Sequence, residues 1–420
     1  MPSPRLSLET RPQLPAMAAE ANAMALSSGL ARAGAPARLG VYVLMDALGW
    51  PLVQRHGFLR ALLPHRRPLR TTLGYSSGAI PTILTGEPPS RHGHWNLFYF
   101  DPFNSPFRWV RPLAGGPTRL LDHRYGRALI TRLGRHLLGL GPGFECALAP
   151  GLLPWFNFCE PRHLYAPGSI AGAVSAFDLW QAAGLRHRIY SYRDGDDFEL
   201  IRRARRALAQ GEATTVFVYL SGVDGFLHQH LGEAAAVSAE LDRYAAALAE
   251  LHATMLARDP DARFRLFSDH GMAPVTARVD LARALRANAC RVPDDYLAVY
   301  DSTMLRCWFW NPRARDSITA SVRRLDCGRV LEEHELRELG VWFDDQRFGQ
   351  LIFLLNPGVL VSQGDFNGRG WNPCGMHGYH PDDPDSDAVI LSNHATDTEI
   401  SEIAHLFGCL CEPLAQGAHA

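Results

Sequence analysis

The stretch "RFRLFSDHGM", Arg263–Met272, runs from a strand-forming pattern straight into Asp269, His270 and Gly271. Three further runs share its character: "LGVYVLM" at 39–45, "HRIYSY" at 187–192 and "TTVFVYL" at 214–220. Apolar on both faces and separated by helical patterns, they read as buried strands of a largely parallel central sheet flanked by helices, an α/β fold. A strand that ends in two coordinating side chains and then a glycine is badly made for packing. Parallel sheets gather ligands just beyond the carboxyl ends of their strands, so the residues following each run are the ones to inspect.

Asp46 follows the first run. Asp224 follows "TTVFVYLSGV", and "DGFLH" puts His228 four residues on, so a helix starting here sets both side chains on one face. Asp269 and His270 follow the fourth run, and "CGMHGYHP" near the C-terminus offers His377 between small residues. Taken singly, each has an ordinary explanation, such as a helix N-cap or a surface pair. Together they form an oxygen and nitrogen set suited to zinc or a similar divalent ion, and six donors exceed one tetrahedral site but suit two ions.

A nucleophile would complete such a centre. "TTLGYSSGAIPTILTGEPPSRHGHW", 71–95, holds Ser76-Ser77-Gly78 ahead of an apolar helical run. A serine at a helix start meets N–H donors and the positive end of the dipole, both favourable to an approaching phosphate. On a metal its hydroxyl becomes a usable alkoxide.

The totals narrow the partners. Lys plus Arg (42) against Asp plus Glu (43) leaves a net charge of -1, so the chain as a whole carries no electrostatic footprint for a nucleic-acid polymer or an anionic membrane. Eight cysteines without a CxxC pair read as reduced thiols. Residues 1–36 are rich in Ala, Pro and Ser without a continuous apolar block, which predicts a flexible tail and, with no signal segment, a cytoplasmic protein. No run reaches the roughly 18 apolar residues of a membrane span.

Residues 37–415 are expected to form one catalytic domain, with cap insertions at about 95–165 and 276–370, where aromatics, Gly and Pro interrupt the alternation. Val237, Leu241, Tyr244, Leu248, Leu251 and Met255 mark a helix packed into the core. "RRARR" at 202–206 reads as a solvated face.

In sequence order, Asp46, the serine before "TILTGEPPSRHG", "DGFLH", "SDHGM" and "MHGY" resemble the type I phosphodiesterase and nucleotide pyrophosphatase family of the alkaline phosphatase superfamily. The resemblance implies an alkaline phosphatase-like three-layer sandwich holding two divalent ions, zinc by expectation. One ion would be bound by Asp224, His228 and His377, and the other by Asp46, Asp269, His270 and the nucleophile. The family's nucleophilic hydroxyl falls on Ser76, with Ser77 as its neighbour, although most relatives carry threonine there. A family asparagine that holds a phosphate oxygen falls, by ungapped count, on Leu97, which leaves Asn96 as a candidate through a one-residue shift. His380 departs from the acidic residue usual after "HGY".

The implied mechanism is in-line attack on phosphorus, a phosphoseryl intermediate and release by water, with configuration retained. Substrates would be small phosphate or phosphonate esters. "SSGAIP" lacks the arginine of the sulfatase motif, and no arginine stands between Ser76 and Ile83 to match the extra charge of a monoester, so a diester, phosphonate or pyrophosphate is favoured over a monoester. A phosphotransferase would share every motif. A non-catalytic metal- and phosphate-binding protein would lack a ligand or the hydroxyl, and neither is missing. Trp95, Phe98, Tyr99 and Phe100 could stack on a nucleobase or anchor the cap. The oligomeric state is not legible.

Overall fold

The computed structural model describes residues 38–417 apart from 114–119, 141–143, 145, 161–162, 287, 363, 366–370 and 396–398. The expected tail over 1–36 lies outside the described residues. The central sheet comprises β1 (Gly40–Met45), β2 (His65–Leu69), β3 (His187–Tyr190), β4 (Thr215–Leu220), β5 (Arg263–Phe267) and β6 (Ala388–Ser392). Their spatial order is β2-β6-β5-β1-β4-β3. β1 pairs in parallel with β4 and β5, and β4 with β3. β6 runs antiparallel to both β5 and β2. The four strands read from the sequence are therefore the parallel block, and one reversed strand joins it to the edge. β2, "HRRPL", has no apolar alternation to read; its charges and Pro68 suit an edge strand that must resist further pairing.

The pleat divides the sheet's side chains between two layers of helices. Val41, Val43 and Met45, with Val216, Val218 and Leu220, face the helices Asp197–Ala209 and Ala234–Arg258. Tyr42, Leu44, Phe217 and Tyr219 face Ser76–Thr85, Ala176–Ala182 and Leu406–Gly417. All six residues of the predicted stripe from Val237 to Met255 are buried. At about 1.5–3 kcal/mol for each fully buried large apolar side chain, that stripe outweighs helix propensity in fixing this element. The "RRARR" run lies on the outer side of its helix, where Arg202 and Arg203 pair with Glu199 in solvent.

The first insertion region contributes the antiparallel strand pair Phe98–Phe100 with Phe156–Phe158 and the helix Arg124–Leu137. The second contributes an antiparallel sheet ordered Tyr296–Tyr300, Met304–Phe309, Leu351–Leu355, Gly328–Val330. The two regions pack on each other through Phe98, Phe156, Leu297, Val299 and Trp308. Phe100 stacks on Trp308 and Trp310, with centroids 5.6 and 6.2 Å apart, and the Trp95 indole N–H donates to the Leu73 carbonyl at 2.6 Å. The aromatic segment thus anchors the cap, one of the two roles open in the sequence. Among the described residues, no helix is long and apolar enough to cross a membrane.

Candidate active site

Because β1, β4 and β5 run side by side in one direction, their carboxyl ends open on a single edge of the sheet. The Asp46 N–H still bonds the Leu220 carbonyl at 2.9 Å; beyond it Ala47 turns into the left-handed region at φ 60°. A non-glycine residue there costs on the order of 1 kcal/mol. The turn aims the Ala47 N–H at Asp269 Oδ1, 3.3 Å away, and the His270 N–H reaches the same oxygen at 3.1 Å. Tyr219, beside Leu44 in the β1–β4 register, donates its hydroxyl to Asp46 Oδ2. Asp46 and Asp269 are thus each gripped by one oxygen. The opposite oxygens, Asp46 Oδ1 and Asp269 Oδ2, together with Asp224 Oδ1, are buried without a hydrogen-bond partner.

Imidazoles close on those free oxygens. His270 Nε2 stands 3.3 Å from Asp269 Oδ2, 3.5 Å from Asp46 Oδ1 and 2.9 Å from the Ser76 hydroxyl oxygen. Its Nδ1 lies 3.0 Å from the Gly271 carbonyl, which can only accept, so Nδ1 carries the proton and Nε2 presents its lone pair. His228 is oriented in the same way by the Gly375 carbonyl at 2.8 Å, and its Nε2 is 3.4 Å from Asp224 Oδ1. The helix Gly222–His230 sets Asp224 and His228 on one face, as their spacing predicts. His377 Nε2 is also 3.4 Å from Asp224 Oδ1, and its ring stacks on His270 at 3.9 Å.

Donor atoms of Asp46, Asp269 and His270 lie within 4.8 Å of one another, and so do those of Asp224, His270 and His377. Five of the six predicted donors fall in these two clusters and His228 in neither, so the grouping differs from the expected one. His270 belongs to both clusters, because it stacks on His377, while His228 stands beside Asp224.

Burial, and then the neighbouring Asp269 and Asp224, push the Asp46 carboxyl well above its ordinary range. Burial also raises Asp224, an effect that His228 opposes. Burial, followed by His270 and His228, holds His377 well below the usual imidazole value. Carboxylates crowded together with lone-pair nitrogens and orphaned oxygens lack a positive charge at their centre. A divalent cation fits that donor set, and the carbonyls behind His270 and His228 are the partners that metal-binding imidazoles use.

Ser76 opens the helix Ser76–Thr85, after Tyr75 in extended conformation. The Ser77 hydroxyl instead faces the Trp95 carbonyl at 3.4 Å. Asn96 is buried with its amide nitrogen 3.3 Å from Asp301 Oδ2, and Leu97 packs among the cap aromatics. His380 Nδ1 lies 3.5 Å from Asp382 Oδ2.

Sequence reasoning missed three residues. Tyr219 was discoverable as a polar-tipped aromatic near the end of a core strand. Tyr75 and Thr303 gave no signal. Tyr75 presents its ring edge to His377 at 5.7 Å, and its hydroxyl meets Thr303 Oγ1 at 3.0 Å, while Thr303 Oγ1 donates to the Gly378 carbonyl at 2.9 Å. Gly378 has φ 93°, and a Cβ there would come within 2.6 Å of the Tyr75 ring. The residue before Ser76, the residue after His377 and the second sheet are thereby clasped together.

Residues 75–380 match the family model of type I phosphodiesterase / nucleotide pyrophosphatase. The chain belongs to this family. It is accordingly a phosphodiesterase/nucleotide pyrophosphatase-class hydrolase of a metal-dependent family. No match was found among curated protein sequences. Among solved structures, murine ectonucleotide pyrophosphatase/phosphodiesterase 5 is 14% identical with a TM-score of 0.60, over 89% of this chain and 94% of that one. Phosphonoacetate hydrolase from Sinorhizobium meliloti 1021, in complex with phosphonoformate, is 11% identical with a TM-score of 0.61, over 89% and 95%. At such identities the likeness shows a shared α/β fold.

Proposed function

We propose that this family member cleaves a phosphodiester, pyrophosphate or phosphonate bond by attack of Ser76 on phosphorus. The observation that carries the reading is the meeting of the Ser76 hydroxyl with His270 Nε2, itself within 3.5 Å of two orphaned carboxylate oxygens. Asp224, His228 and His377 would hold one ion and Asp46, Asp269 and His270 the other, with zinc favoured by the three imidazoles. Ions so placed would lower the pKa of the serine hydroxyl and offset charge on the phosphate oxygens.

The chain's own groups do the rest. The start of the helix Ser76–Thr85 directs N–H donors and its positive dipole end toward an incoming phosphate. Tyr219 fixes Asp46, and the Ala47 and His270 N–H groups fix Asp269, so the donors are preorganised. Attack forms the Ser76 Oγ–P bond as the P–O or P–C bond to the leaving group breaks. Water then attacks the phosphoserine from the opposite side, and two inversions leave the configuration retained.

The murine neighbour was solved with AMP and the bacterial one with phosphonoacetate and phosphonoformate, which supports a small phosphate or phosphonate ester here. Residues 37–415 are proposed to act as one catalytic domain capped by the two insertions. A cytoplasmic location is proposed from the eight free cysteines.

A panel of p-nitrophenyl mono-, di- and phosphonate esters, with zinc added or chelated, tests the proposal. Chelator-sensitive diester or phosphonate turnover is expected, and Ser76→Ala should reduce it by about a thousandfold or more while bound metal persists. A monoester preferred by orders of magnitude would overturn the substrate class, and full activity in Ser76→Ala would overturn the nucleophile.

A further inference from the structure

The loop leading from the strand Phe156–Phe158 to the helix Ala176–Ala182 carries Tyr165, a tyrosine outside the ion-binding set. The loop is pinned: the Ser169 hydroxyl donates to the Leu164 carbonyl at 2.7 Å, and the Gly168 N–H reaches Asp178 Oδ1 at 2.5 Å. Tyr165 is 4% exposed. Its ring stacks on Tyr219, with centroids 5.0 Å apart and planes 27° from parallel, and rests against Phe217 and Phe177 at 6.0 and 6.4 Å. It packs in one layer with Ala79, Ile80 and Ile83, so it stands on the same face of the sheet as the helix that Ser76 opens.

A tyrosine so deeply buried ordinarily brings its hydroxyl to a partner. Tyr219 does so, donating to Asp46 Oδ2. Tyr165 does not. Among the described residues its hydroxyl meets no hydrogen-bond partner, nor is it among the polar atoms sealed from solvent without one. The side chain is therefore fixed by its ring and open at its tip. Burial, and then the Asp46 and Asp269 carboxylates, raise its phenol well above the ordinary value, so it remains a donor and feels the charges of one proposed ion cluster.

The other side chains weighed as phosphate contacts are engaged elsewhere. The Asn96 amide nitrogen lies 3.3 Å from Asp301 Oδ2, and the Ser77 hydroxyl faces the Trp95 carbonyl at 3.4 Å. An open donor on the Ser76 side of the sheet, beside the residue that grips Asp46, supplies what they do not.

We propose that the Tyr165 hydroxyl donates a hydrogen bond to a non-bridging oxygen of the substrate's phosphoryl or phosphonyl group. The assignment rests on the reading that Ser76 attacks phosphorus at the ion centre. No proton is transferred. The bond strengthens as charge gathers on that oxygen, and the stacked ring holds the donor in place beforehand.

Tyr165→Phe in the full chain tests the proposal, because it deletes the hydroxyl and keeps the ring against Tyr219. Inorganic phosphate probes binding to the zinc-loaded protein, and bis(p-nitrophenyl) phosphate probes turnover. Phosphate affinity and kcat/KM should both fall by about ten- to a hundredfold, as for loss of a hydrogen bond to a charged acceptor. Zinc affinity, titrated on the metal-free protein, should stay at the wild-type value. Unchanged phosphate affinity and turnover would overturn the proposal. So would a parallel loss of zinc affinity, since Tyr165 would then act through Tyr219 and Asp46 and not on the substrate. Ser76→Ala, assayed alongside, separates the two readings. Loss of turnover there with none in Tyr165→Phe removes the present proposal alone, whereas full turnover in Ser76→Ala removes the reading beneath it as well.

Discussion

Two buried carboxylate sites, set apart by their partners, show how this protein treats charge. Asp301, in the second insertion, is buried and engaged: Arg306 Nε donates to its Oδ2 at 2.6 Å and Asn96 approaches the same oxygen at 3.3 Å. Asp46, Asp224 and Asp269, at the edge of the central sheet, each keep an oxygen without a partner. A buried ion pair satisfied from within is part of the scaffold, whereas buried charges left open by the chain are addressed to something outside it.

Breaking the satisfied site should cost most. Arg306→Met leaves Asp301 uncompensated and removes donors to the Phe98 and Phe348 carbonyls, so a loss of about 3–5 kcal/mol in urea unfolding is expected, irrespective of metal. The open site should respond in the opposite sense. Asp46→Asn removes one of three crowded negative charges and should stabilise the metal-free protein by about 1 kcal/mol, while abolishing the gain in thermal midpoint expected of the wild type when zinc is added.

The pH dependence sharpens the contrast further. Burial raises Glu160 and Asp365 to about 7, and neither belongs to the candidate metal clusters. Their folded values exceed the unfolded values of about 4, so the native state binds protons more readily over that window. Stability should therefore fall as pH rises from about 4 through 7, with or without metal; a flat profile from denaturant midpoints would show that these carboxyls are solvated. The smallest effect is expected at the clasp. Tyr75→Phe and Thr303→Val should each cost about 0.5–1.5 kcal/mol, and the double variant less than their sum, because both variants remove the hydrogen bond that the two hydroxyls share.

The parts of the molecule legible in the sequence are those governed by local pattern. β1, β4 and β5 announce themselves by apolar runs, and the donors Asp46, Asp224, Asp269 and His270 stand just beyond them, where sheet geometry gathers ligands. His228 follows from helical spacing. β6 is as apolar as its neighbours, and nothing in a five-residue run encodes its reversed direction. β2 is hidden because an edge strand may be polar throughout. Tyr75 and Thr303 are 228 residues apart and meet only through tertiary packing.

The hydroxyl contact between Tyr75 and Thr303 has a consequence for how such an enzyme diversifies. The sheet that would shape substrate choice is fastened to the residue adjoining Ser76, the proposed nucleophile, and, through Gly378, to His377, a proposed ion ligand. Exchanging that sheet for a relative's would also swap out Thr303, so a productive chimera must carry Thr303, Tyr75 and Gly378 across as one inherited unit, and specificity and reactivity are constrained to change together.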